Sequence, residues 1–164
     1  MKEKVTPDFT TMFDEAQKQL NRQFTSFSSL KKYAETIMGV SSVIVSFFAT
    51  FKVFDNTIIK PASFFALFFF IVILYTVLMV LAINLARPSS VESPIRADID
   101  NYNRAYADKS EKDIIMSQIT IYVRAIQKNE KTLIKQERLS KIMGYYLCTI
   151  VAFIFLATIT LLAP

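Results

Sequence analysis

Arg124, Lys128, Lys131, Lys135 and Arg138 recur at spacings of four, three, four and three residues. On a helix this spacing gathers the five cations within an arc of roughly 80°. No Asp or Glu lies three or four positions from any of them. Arg124/Lys128 and Lys131/Lys135 instead place like charges one turn apart, each pair costing roughly 0.2–0.5 kcal/mol. Such a ridge does not make or break bonds; its chemistry is attraction for anions. Three partners are open to it: water, lipid headgroups, or a polyanion such as short single-stranded DNA or a nucleotide messenger. Headgroups suit Arg138 and Lys141. They do not suit Arg124, which sits roughly 27 Å up a helix from the membrane, because surface potentials fade within a Debye length. Backbone-directed binding of a polyanion needs an uncompensated cationic groove. Tyr102, Tyr106 and Tyr122 offer stacking faces, although Tyr122 also falls on an apolar seam.

Other chemistry is sparse. The chain has no histidine, two glycines and one cysteine, Cys148. These absences remove the usual general base, serine–histidine and cysteine–histidine triads, cysteine-built zinc sites and Gly-rich phosphate loops. Paired carboxylates occur only in surface-like contexts, Asp14-Glu15 and Asp98-Asp100. We expect no enzyme, no catalytic residue, no metal and no cofactor.

A second constellation lies in an apolar run. Glu35, Gly39, Ser42, Ser46 and Thr50 form a polar and small stripe at helical spacing. One reading is close helix packing, which small hydroxyl residues permit in membranes. The other is a pore wall lined by Glu35, Ser42, Ser46 and Thr50, with Glu35 forming a cation-favouring ring at its mouth.

The elements that must carry these residues are helices, and three apolar runs place them in a membrane. Pro61–Ala86 has 26 residues without a formal charge, Ile142–Pro164 has 23, and Thr36–Phe51 has 16. A helix crosses a hydrocarbon core with about 20 apolar residues. The short first run reaches that length if Lys52 snorkels and Tyr33 lies at the interface. The expected fold class is therefore all-α and integral to the membrane: three transmembrane helices, with a cytoplasmic helical bundle continuous with the third span. Residues 1–164 form one membrane domain. It comprises an amphipathic N-terminal helix at 7–30, spans at 34–54, 61–86 and 142–163, and a cytoplasmic helical region at 95–141.

Local signals refine these elements. Thr6-Pro7-Asp8 reads as a helix start. Phe9, Phe13, Ala16, Leu20, Phe24 and Phe27 then form one apolar face. It suits either packing on the rest of the bundle or the headgroup layer. Ile95, Ile99, Tyr102 and Tyr106 give a short helix after Pro94. Ser110-Glu111-Lys112-Asp113 has capping-box character. Gly144 is the only glycine or proline between there and Pro164, so one helix from about Glu111 to Ala163 is expected, on the order of 80 Å long. Its Ile115, Ile119, Tyr122, Ile126 and Leu133 form a seam opposite the ridge, suited to coiled-coil-like packing between helices or copies. Phe64, Phe65, Phe68, Phe69 and Phe70 read as facing lipid. Cys148, Thr149, Thr158 and Thr160 are the polar members of the third span.

Charge sets the orientation. The N-terminal segment has six Lys/Arg, the connection between the last two spans eleven, and the connection between the first two only Lys52 and Lys60. The positive-inside rule puts the N-terminus and the long loop in the cytoplasm and the C-terminus outside. The polar first 30 residues make a cleaved signal peptide unexpected.

The run of amphipathic start, two close spans, the break at Asn84-Leu85-Ala86-Arg87-Pro88, a long helix and a terminal span resembles small membrane effectors of bacterial anti-phage defence. It is similar to the transmembrane module of Pycsar effectors and, among stand-alone forms, to Hailong effectors. The resemblance implies an oligomeric ion channel in the bacterial inner membrane that depolarises the host. Pycsar effectors carry a separate cyclic-nucleotide domain for which this chain has no length. The Hailong-like reading implies control by oligomeric single-stranded DNA from a partner nucleotidyltransferase. The expected function is a homo-oligomeric channel, tetrameric by preference, controlled by a nucleic-acid or nucleotide ligand on the ridge. The alternatives are a non-conducting membrane adaptor that recruits a partner protein, and a holin-like toxin without a ligand.

Overall fold

The structure, a computed structural model, describes residues 8–50, 60–87, 91–93 and 108–162. Among these residues the chain is all-helical, with three helices: α1 (Phe9–Phe48), α2 (Ala62–Ala86) and α3 (Glu111–Leu162). The expected helix at Ile95–Tyr106, with Tyr102 and Tyr106, lies outside the described residues.

α1 joins two elements that polarity separates in the sequence. The amphipathic stretch and the apolar run after it form one helix of 40 residues. Lys31, Lys32 and Glu35 end the uncharged run but are good helix formers, and no Gly or Pro interrupts them. The Asp8 carbonyl accepts the first helical bond, from Met12 N–H at 3.1 Å, so winding starts just after Asp8. Thr6 and Pro7 lie outside the described residues. At the far end, Ala49 and Thr50 continue with wider, π-type winding.

α2 keeps nearly the expected bounds because proline marks both. Pro61, extended at φ −69° and ψ 157°, precedes it. Arg87, held extended at ψ 143°, ends it, as expected of a residue before Pro88. α3 runs for 52 residues, close to the single long helix expected. Ser110 caps it: its Oγ accepts from Asp113 N–H at 3.3 Å and donates to the Asp113 carboxylate at 2.6 Å.

α2 and α3 are each long and apolar enough to cross a membrane, with best windows of mean hydropathy 3.0 and 2.2. The apolar end of α1 does not reach that mark among the described residues.

The chain divides into two compact units, Met1–Ser28 with Ser89–Ile134, and Ser29–Pro88 with Lys135–Pro164. In the first unit, α1 packs on α3. Ala16 and Leu20 of α1 are buried against Tyr122, Ala125 and Ile126 of α3, with Phe13 and Phe24 half-buried beside them. Phe13 meets Tyr122 edge-on at 5.2 Å. The Phe13–Phe24 part of the α1 stripe is thus a packing face, and Tyr122 and Ile126 of the seam are covered by the chain's own α1.

In the second unit, buried residues repeat by sevens. Phe64, Ile71, Leu78 and Leu85 do so on α2, and Met143, Ile150 and Ala157 on α3, with Ala34, Ile37 and Phe48 on α1. This is the register of left-handed helix packing. Phe64 is fully buried and Phe68 half-buried, both against Phe48. Phe65, Phe69 and Phe70 are exposed. The phenylalanine cluster is therefore split rather than wholly outward, because five rings in seven positions encircle a helix. Tyr33 leans on Gly144, its hydroxyl 3.2 Å from where a Cβ would sit.

Four threonines in the apolar segments are satisfied locally. Thr76, Thr149, Thr158 and Thr160 each donate to a carbonyl three or four residues back on their own helix, which hides the donor in an apolar setting. A hydroxyl pair also bridges helices: Ser42 Oγ and Tyr75 Oη lie 2.9 Å apart. Tyr75→Phe will remove this bond at a cost of about 0.6 kcal/mol, the average measured between membrane helices. Unfolding in mixed micelles reads the shift. An unchanged midpoint would mean that the pair contributes nothing to the packing.

Candidate functional site

The ridge stands on α3 opposite the face that α1 covers. In the first unit Arg124, Lys128 and Lys131 are exposed, and in the second Lys135 and Arg138 are exposed. The reason is helical register. Ile119, Tyr122, Ile126 and Asn129 turn inward at spacings of three, four and three, so the cations fall on the other side. Among the described residues, Arg124, Lys131, Lys135 and Arg138 have no acidic partner. Lys128 does: its Nζ donates to the carboxylate of Glu92.

Glu92 is held from two adjacent positions of α3. Besides the Lys128 contact, its N–H donates to Asn129 Oδ1 at 3.0 Å. Its carbonyl accepts from Asn129 Nδ2 at 3.2 Å. Asn129 is only 1% exposed, so its amide is spent on this one residue. Both bonds are to main chain, and the carboxylate of Glu92 remains free to meet a ridge cation. Asn129 had a signal in the sequence, since it continues the seam register with a polar side chain. Glu92 had none, because its partners lie 36 and 37 residues away.

A second buried polar group lies in the same unit. Gln23 Nε2 donates to the Ile126 carbonyl at 3.1 Å, while its Oε1 is buried without a partner among the described residues. Buried amides at seam positions fix register at some cost in stability. Tyr122 offers no stacking face to a ligand, being buried against Phe13.

The candidate pore residues share one side of α1 but differ in environment. Glu35 is exposed, with Lys31 Nζ at 4.0 Å. Ser46 and Thr50 are exposed. Ser42 is half-buried, and its hydroxyl is shared between Tyr75 and the Met38 carbonyl at 2.7 Å. It therefore ties α1 to α2. Ser42, Ser46 and Thr50 border a shallow open depression of about 390 Å³, together with Val43 and Phe47. Gly39 has open space where a side chain would stand. Residues facing the core, Ala34, Ile37, Ser41 and Phe48, lie on the other side.

No group of three His, Cys, Asp or Glu that could hold a metal occurs among the described residues. No protein family, curated protein or solved structure matches this chain.

Proposed function

We propose that the chain is an oligomeric channel-type effector of anti-phage defence, controlled from the cytoplasm by a polyanion. Short single-stranded DNA is the favoured ligand and a nucleotide messenger the runner-up. One observation carries this reading. α3 bears an apolar stretch of membrane-crossing length and, on the same helix, exposed cations that, among the described residues, lack acidic partners save at Lys128. A ligand that neutralises those cations would act on an element that continues into the bilayer. The first of three spans in this account, residues 34–54, begins with the apolar end of α1. The N-terminus is cytoplasmic and the C-terminus outside, in a bacterial inner membrane. The defence role and a partner nucleotidyltransferase come from the resemblance in arrangement alone.

Oligomerisation follows from the polar side of α1. Three spans of one chain are too few to enclose an aqueous path by themselves. Glu35, Ser46 and Thr50 face outward and would be costly in lipid. Copies meeting around these residues, a tetramer by preference, would give them water or each other.

A second reading is a membrane adaptor. Met116, Val123 and Ile134 are exposed on α3 beside the ridge and could seat a partner protein. Purification in mild detergent, with mass and nucleic-acid content measured together, separates the two readings. The channel reading predicts a homo-oligomer that carries or takes up oligonucleotide. A monodisperse monomer free of nucleic acid, in several detergents, would favour the adaptor.

A further inference from the structure

We propose that Glu92 is a built-in competitor for the anion that the ridge binds. This inference rests on the polyanion reading of the ridge. The Glu92 carboxylate already occupies Lys128, one of the ridge cations, so a phosphate reaching Lys128 must displace it. The arrangement suits exchange rather than permanent pairing. Asn129 is buried and holds Glu92 by its main chain, at 3.0 and 3.2 Å, so the carboxylate can leave Lys128 by side-chain rotation alone. The segment stays docked while the side chain swings. The pair is also open to solvent, with 63% of the Lys128 and 42% of the Glu92 side-chain surface exposed. Exposed pairs of this kind are weak, which suits a contact meant to yield to a ligand of higher charge. Glu130, exposed on the same helix two residues from Lys128, has no ion pair among the described residues.

The consequence is a threshold. A single phosphate contact at Lys128 exchanges one anion for another and gains little. A strand that also engages Arg124 and Lys131 gains at positions that no acid among the described residues occupies. Glu92 thus discriminates against small anions and in favour of extended ones.

The test is binding of fluorescent oligothymidylate of about 10 nucleotides, within the site sizes of single-strand binders, to the full-length protein in mild detergent. Glu92→Gln keeps both main-chain bonds to Asn129 and removes only the competing charge. It should tighten binding about two- to fivefold at low salt, the range an exposed ion pair allows. In a Lys128→Gln background the same change should give no gain. Glu130→Gln removes an equal charge nearby and should give a smaller gain than Glu92→Gln. The proposal is overturned if Glu92→Gln leaves affinity unchanged. It is overturned equally if its gain matches that of Glu130→Gln, or persists without Lys128, since the effect is then net charge alone. If the parent binds no oligothymidylate at the lowest salt, the ridge reading itself fails and takes the competitor with it. Binding by the parent with no gain in Glu92→Gln removes the competitor alone.

Discussion

Replacing Arg124, Lys128, Lys131 and Lys135 together with Gln will abolish the salt-dependent part of oligonucleotide binding. Each phosphate neutralised on a single strand contributes about 0.7 to the slope of log affinity against log salt. Four contacts give a slope of about −2.8, so affinity should fall roughly 50-fold as salt rises from about 50 to 200 mM. The variant should bind weakly at both ends of that range, with a nearly flat profile. Folding should survive. All four side chains are exposed, Gln is a good helix former, and two like-charge pairs disappear. Arg138 is kept because headgroups compete for it. Neutralising Lys18 and Arg22, two exposed cations on α1, is a control away from the ridge and should leave most of the slope in place. Equal binding by the quadruple variant and the parent across the titration would make the ridge a solvated face.

Ser46→Leu will reduce ion flux through the reconstituted protein at least roughly tenfold, the effect of about 1.4 kcal/mol added to a barrier. Ser46 is exposed on α1, away from the core residues Ala34, Ile37, Ser41 and Phe48. A leucine there stands outside the described core, so its effect on flux reads what faces that side. In a pore it narrows and dries the path. Glu35→Gln, at the same helical register, should lower cation preference with less effect on total flux. Ser42 is the wrong position for this test, because its hydroxyl is bonded to Tyr75 and its loss disturbs packing. Liposome flux and oligomer mass are to be read together. Unchanged conductance and selectivity in both variants would reassign the stripe to helix packing.

What was legible in the sequence follows the reach of each signal. Proline at 61 and 88 fixed α2, and the lack of helix breakers other than Gly144 made α3 readable as one helix. Register alone placed Ile119, Tyr122 and Ile126 inward and the ridge outward. The same register put Ala16 and Leu20 on the packed face of α1. Continuity of α1 was hidden because the end of an uncharged run marks polarity, whereas helix winding depends on backbone propensity. Phe64 was misplaced because a run of aromatics has no amphipathic period from which to choose a side. The Glu92 contact was out of reach for a different reason: its partners lie far along the chain, and no local pattern announces a pairing of that separation. The partner of the apolar seam was ambiguous in the same way, since α1 and a second copy offer similar faces.

The most direct measurement is ion flux in proteoliposomes of the parent protein, with and without a short single-stranded oligonucleotide on the side that bears the ridge. The proposed function predicts a conducting protein whose flux changes on adding oligonucleotide. The change should be lost in the quadruple ridge variant and diminished as salt rises. Protein inserted in the bilayer that passes no ions in either condition, or passes them with no response to oligonucleotide at low salt, would contradict it.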